Sequence, residues 1–153
     1  MSHPVRTQAR ALLVRDQRIA LVRQSLNARE WRWVLPGGGQ DEGESLTEAL
    51  VRECAEELAV EATVGSLRLI REYVPAKHPD FDKEANDQCI DFVFDVTIPA
   101  AQDISVGPGL EEDSDAVEWF ALDALPALYP AYLEAWLPVN VDRETIAYVG
   151  DQL

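Results

Sequence analysis

Hydrophobic positions along the chain fall into short runs of strand length, broken by two stretches of helical period. ALLVRD (11–16) and RIALVRQ (18–24) flank a charged turn, which predicts a strand pair. WRWVLPGGG (31–39) is a third run that closes on Pro36 and three glycines. TVGSLRLIREYV (63–74), CIDFVFDVTI (89–98), AVEWFAL (116–122) and TIAYVG (145–150) are rich in β-branched and aromatic residues and are predicted strands. From Ser45 to Leu58 the period becomes helical, with Ser45 as N-cap and Glu48 completing a capping box. DALPALYPAYLEAWL (123–137) predicts a second helix, interrupted at Pro126 and Pro130. Between these lie two polar stretches: PAKHPDFDKEANDQ (75–88), either a lid or a mobile hairpin tip, and VGPGLEEDSD (106–115). Strands outnumber helices while both are present, so the fold class is α/β or α+β with a mixed sheet. No repeat or linker interrupts the chain, and one domain over 1–153 is expected.

The first helix carries an unusual stripe. Advancing ~100° per residue, Leu46, Ala49, Leu50, Glu53, Glu56 and Glu57 share one face, apolar at its start and acidic at its end. Carboxylates at i, i+3 and i+4 repel by roughly a few tenths of a kcal/mol per pair in water and by more when shielded from it. Arg52 balances one of them, which leaves a demand for further positive charge. Clustered oxygen ligands suit a hard divalent cation, Mg²⁺ or Mn²⁺; an acidic helix end on the surface is the plainer alternative. The glycines favour the cation. Gly37, Gly38 and Gly39 allow positive φ and close backbone approach to a ligand, in a turn that feeds the helix, where amides meet phosphate.

Charge and composition narrow the partners. The formal net charge is −15, from 28 acidic and 13 basic residues, so the field of the molecule repels a nucleic-acid polymer. A small anionic substrate remains compatible, because a bound divalent cation inverts the local field. MSHPVRTQAR at the N-terminus lacks the apolar core of a signal peptide, and no apolar run approaches the ~18 residues of a membrane span, so a cytoplasmic location without membrane contact is expected. Cys54 and Cys89 stand far apart without a metal-ligand spacing and read as reduced core residues.

The spacing of the charged residues is specific. Gly38, five residues, Glu44, seven residues, Arg52-Glu53, apolar Cys54, one residue, Glu56-Glu57, and Val60 after two more positions resemble the signature box of the Nudix hydrolases over 38–60. WVLPGG before the box and AVEWFALDAL after it are also similar to the family's flanks. One fixed position departs: Ala59 stands where the family usually has a glycine that closes the helix in a left-handed conformation. Alanine held there costs roughly 1 kcal/mol, or the helix runs slightly longer.

The resemblance implies a Nudix-like α/β/α sandwich around a mixed β-sheet and hydrolysis of a nucleoside diphosphate linked to another group X. It implies Glu53, Glu56 and Glu57 as metal ligands, the Gly38 carbonyl as a further ligand, Arg52 as orienting partner of the carboxylates and Glu44 as a tie between loop and helix. Mg²⁺, with Mn²⁺ as substitute, would offset charge on the pyrophosphate during attack by water. Favoured substrates are of the ADP-ribose, NDP-sugar or dinucleotide type, because the 75–88 segment is longer than a tight hairpin needs. An isomerase or a nucleoside triphosphate pyrophosphatase on the same scaffold is the alternative within the enzyme class, and a non-catalytic nucleotide-sensing or scaffold module the alternative outside it; the retained acidic residues favour catalysis.

Residues outside the box complete the expectation. The attacking water needs a base, for which Glu112 in the run Glu111-Glu112-Asp113 is chosen, with Asp113 next and Glu57 as the alternative from the metal shell. Arg32, with Arg29, either holds terminal phosphates or is solvated. Tyr73 and Phe81 either sandwich a base or pack on the surface. Trp33 is read as core rather than stacking platform, and His78 as a solvated histidine rather than a base. A homodimer is kept as an admissible assembly, since the sequence carries no signal of oligomeric state.

Overall fold

The computed structural model describes residues 4–27, 30–79, 87–110 and 116–153. Among these residues, eight strands join in one mixed sheet: β1 (Arg6–Arg15), β2 (Arg18–Asn27), β3 (Glu30–Val34), β4 (Gly37–Gly39), β5 (Thr63–Tyr73), β6 (Cys89–Thr97), β7 (Ala116–Ala121) and β8 (Ala147–Asp151). Their order is β3-β2-β1-β6-β5-β8, with β4 added to β1 and β7 to β2. β1 runs parallel to β6, and β5 parallel to β8; the remaining pairs are antiparallel. Among the described residues, the α-helices are α1 (Leu46–Leu58) and α2 (Tyr132–Asn140).

Alternation along the central strands explains the layering. Ala9, Ala11 and Leu13 of β1, with Ala20 and Val22 of β2, share a buried cluster with Leu50, Cys54 and Leu58 of α1. Leu12, Ile19 and Leu21 point the other way, into a second cluster with Leu133, Trp136 and Leu137 of α2. Successive side chains leave a strand on opposite faces, so a run such as ALLV stays apolar throughout when helices cover both faces. The result is the expected α/β/α sandwich.

Two sequence expectations need correction. The helix foreseen over 123–137 begins only at Tyr132, after Pro130, and continues through Pro138 to Asn140. Pro126 and Pro130 lack the amide a helix needs, so the chain before Tyr132 takes turns instead, and Leu128 bridges to Trp33. The glycines, expected to form a turn in which positive φ is open to them, are a three-residue strand on β1, and of them only Gly37 has positive φ, at 136°. Backbone proximity selects glycine at Gly37 as well: a Cβ there would lie 2.0 Å from the Ala9 carbonyl oxygen.

Two buried arginines pin the second layer. No basic residue lies in the last turn of α2, and Arg68 of β5 supplies the positive charge from outside. Its guanidinium donates to the carbonyls of Asn140 (2.7 Å), Val141 (3.1 Å) and Arg143 and pairs with Asp95 at 2.7 Å. A cation at a helix C-terminus is favourable because it meets unpaired carbonyls. Arg71 pairs with the equally buried Asp91 at 2.8 Å and donates to the Gln152 carbonyl. Among the described residues no helix is long and apolar enough to cross a membrane.

Candidate active site

Sequence dictates the entry into α1. Ser45, in extended conformation, accepts a hydrogen bond from the Glu48 amide at 3.2 Å, which satisfies one of the amides the first turn leaves free. Gly43 just before it takes φ 89°, turning the chain from β4 toward the helix. Glu44 locks that turn by accepting from the Asp41 amide at 2.8 Å and from Arg52 at 2.6 and 3.1 Å.

Arg52 is the hub of the box. Its guanidinium reaches Glu44 (2.6 Å), Glu53 (3.0 Å), Glu56 (3.3 Å) and Asp41 (3.5 Å), and donates to the Gly39 carbonyl at 3.0 Å. One guanidinium therefore meets four carboxylates where the sequence reading granted it one; a planar five-donor fork has the geometry to do this. The Glu44 contact is the main reason that its carboxyl sits below the usual range.

The other carboxylates lie on the glycine strand. Glu57 is 5% exposed and accepts from the Gly37 amide at 2.6 Å. Burial pushes its pKa up to about 7, against the lowering pull of that amide and of Arg10, while Glu53 and Glu56 add repulsion. Glu53 leans on Gly38 so closely that a Cβ at Gly38 would fall 2.7 Å from its Oε1. Glu56 is the most open of the three, with its side chain 45% exposed. Arg10, which sequence reasoning passed over, supports β4 from beneath by donating to the carbonyls of Leu35 (3.1 Å) and Gly37 (3.0 Å).

Among the described residues no three or more His, Cys, Asp or Glu side chains are gathered as a metal cage. Glu53 and Glu56 turn to Arg52, and Glu57 to Gly37. The donor set nevertheless fits a hard divalent cation. It consists of carboxylate oxygens plus the backbone of Gly38, bare of side chain where Glu53 approaches, and a carboxylate buried at the cost of its charge gains from a cation beside it.

The remaining singled-out residues stand apart from this group. Arg32, half-exposed on β3, has its guanidinium 3.7 Å from Glu30 and 3.0 Å from the Trp31 carbonyl. Tyr73 is buried opposite Cys89 on β6, its ring stacked on His78 at 6.0 Å. His78, read as solvated, is instead held by Asp151 at 2.7 Å, because β8 runs alongside β5 and delivers Asp151 to its end. Trp33 packs edge-on against Phe120 at 4.7 Å. Cys54 and Cys89 are free and buried, and burial raises both thiol pKa values, to about 12 and about 11. Arg29, Phe81, Glu111, Glu112 and Asp113 lie outside the described residues.

The family model of the NUDIX domain matches residues 5–138. An ADP-ribose pyrophosphatase of Methanocaldococcus jannaschii is 31% identical over 119 residues, covering 76% of this chain. The match spans 62% of that relative's own length. A solved MutT NUDIX hydrolase from Burkholderia pseudomallei is 28% identical and superposes with a TM-score of 0.63 over 81% of this chain and 88% of its own. A NUDIX hydrolase from Nitrosomonas europaea, 12% identical, shares the fold with a TM-score of 0.70 over 99% of this chain and 82% of its own. With its box residues assembled on β4 and α1 and the family model spanning most of its length, the chain belongs to the Nudix hydrolase family.

Proposed function

We propose that the chain is a divalent-cation-dependent pyrophosphohydrolase that cleaves a nucleoside diphosphate linked to another group X by attack of water on phosphorus. One observation carries the reading: two carboxylates of α1 are laid directly onto the glycine strand, Glu53 against Gly38 and Glu57 on the Gly37 amide. An acidic helix face that served only solubility would turn to water. In this reading Glu53, Glu56, Glu57 and the Gly38 carbonyl hold the ion, Mg²⁺ or Mn²⁺. The cation, when bound, supplies positive charge against the pyrophosphate oxygens.

The chain's own residues do the rest. Arg52 keeps Glu53 and Glu56 on one side of the helix and ties them to the Gly39 carbonyl. The backbone of Gly37, Gly38 and Gly39 is assigned to phosphate contact, and Arg32 and Tyr73 remain candidates for holding the rest of the nucleotide. Glu112 is assigned the proton of the attacking water. The described segment before it runs beside the last turn of α1, where the Gly107 and Gly109 amides meet the carbonyls of Glu57 and Glu56. The favoured substrates are of the ADP-ribose, NDP-sugar or dinucleotide type, and the Methanocaldococcus relative, an ADP-ribose pyrophosphatase, supports the first of these.

A panel of ADP-ribose, NDP-sugars, dinucleotides and nucleoside triphosphates, assayed with Mg²⁺ by phosphate release after a coupled phosphatase, tests substrate and activity together. Fastest turnover on a diphosphate-linked compound is expected, and Glu56→Gln should lower it by about a hundredfold or more. Preference for triphosphates would overturn the substrate class; a Glu56→Gln enzyme with unaltered rates would remove the ligand assignment.

A further inference from the structure

We propose that residues 105–110 form a positioning strap for the metal-binding end of α1, with Gly107 and Gly109 as its working positions. The inference rests on the reading of Glu56 and Glu57 as ligands. A helix leaves its last carbonyls without intrahelical partners. Here those of Leu58, Glu57 and Glu56 are each taken by an alternate amide of one crossing segment: Ser105 at 3.0 Å, Gly107 at 3.0 Å and Gly109 at 2.7 Å. The segment thus runs along the end of the helix in the opposite sense. Ile104, just before it, and Leu110, at its end, both pack against the cluster under α1.

Contact distance makes glycine necessary. A Cβ at Gly107 would stand 2.3 Å from the Glu56 carbonyl oxygen and 2.9 Å from the Glu57 carbonyl carbon, both backbone atoms of the helix. At Gly109 it would stand 2.8 Å from the Glu56 Cβ. The backbone held in this way belongs to the two residues whose carboxylates are assigned to the cation, so the strap sets the direction in which both side chains leave the helix. Ligands of a divalent ion need their positions fixed by such outer contacts, and loss of one typically weakens metal binding by about 10–100-fold. The strap touches neither substrate nor ion: Gly107 and Gly109 are positioning residues.

The test compares Gly107→Ala and Gly109→Ala with the unaltered chain. Mn²⁺ affinity, read by electron paramagnetic resonance without nucleotide, should weaken by about tenfold or more in Gly107→Ala. Turnover should recover at saturating Mg²⁺ with an unchanged KM for nucleotide, a pattern that simple loss of stability does not produce. Coupling is reciprocal, so Mg²⁺ should slow amide hydrogen exchange at Gly107 and Gly109 of the unaltered chain by about fivefold or more; this reading stands even if a variant fails to fold. A folded variant with unchanged Mn²⁺ affinity, or unchanged exchange at saturating Mg²⁺, overturns the strap. An unaltered chain that binds no Mn²⁺ overturns the ligand assignment instead.

Discussion

Among the individual residues, Glu57 shows most directly what the fold has paid for its site. Its carboxylate is buried, with the Gly37 amide as its hydrogen-bond donor and the charges of Arg10, Glu53 and Glu56 acting on it. Its pKa of about 7 in the folded chain lies above the ordinary 4.5, so the folded state binds this proton more tightly than the unfolded state does. The stability that follows is fully present below the ordinary value and is lost as pH rises through about 7. Glu57→Gln keeps an acceptor for the Gly37 amide and removes the titration. In the metal-free chain, the melting temperature of the unaltered protein should therefore fall between about pH 5 and about pH 8 by some 5 °C more than that of the variant. Circular dichroism melts in the presence of a chelator check this, and parallel pH profiles would contradict the burial argument. Arg52 was visible in the sequence as a neighbour of acids, but its bond to the Gly39 carbonyl depends on β4 lying beside α1 and has no sequence signal.

At the scale of elements, α1 ends where the family's pattern ends it, although the usual glycine is missing. Ala59 takes φ 55° and ψ 41°, so of the two outcomes open to the sequence the strained stop is the one found, and the helix does not lengthen. An L-residue there carries about 1–2 kcal/mol of strain, and glycine gives back part of the relief as extra entropy of the unfolded chain. Ala59→Gly should consequently stabilise the protein by up to about 1 kcal/mol and raise its melting temperature by about 2–4 °C. Equal or lower stability in chemical denaturation would mean that the strain is relieved elsewhere. The bonds from Ser105, Gly107 and Gly109 explain how the stop survives, since the carbonyls of Leu58, Glu57 and Glu56 are each taken. In sequence, VGPGL reads only as a polar loop: glycine and proline announce a break in regular structure, and their contact with a helix 50 residues earlier leaves no local trace. The same holds for GGG, whose strand character comes from the ladder with Gln8, Ala9 and Arg10 and from no propensity of its own.

For the whole molecule, what was legible follows from period and spacing. Every predicted strand is present, because β-branched runs sandwiched between helices leave a clear mark, and the box spacing located α1 together with its carboxylates. What was not legible is tertiary. That Arg68 of β5 caps α2, that Asp151 holds His78, and that β1 lies between β2 and β6 all depend on partners far away in sequence. The last of these also governs how the chain must fold. The pairs β1–β2 and β5–β6 join near neighbours, whereas the parallel ladder from Arg6↔Cys89 to Leu13↔Val96 closes a loop that contains α1 and the glycine strand. Closing so long a loop carries its entropy cost before the contacts that reward it, which places refolding at milliseconds or slower. Loss of packing on that ladder should act on the folding limb of a chevron and loss of packing on the outer helix on the unfolding limb. Val93→Ala should thus slow refolding by about fivefold, while Leu137→Ala should chiefly speed unfolding. Stopped-flow fluorescence that found the two effects interchanged would mean that nucleation starts on the outer helix, and that the central ladder forms after the rate-limiting step.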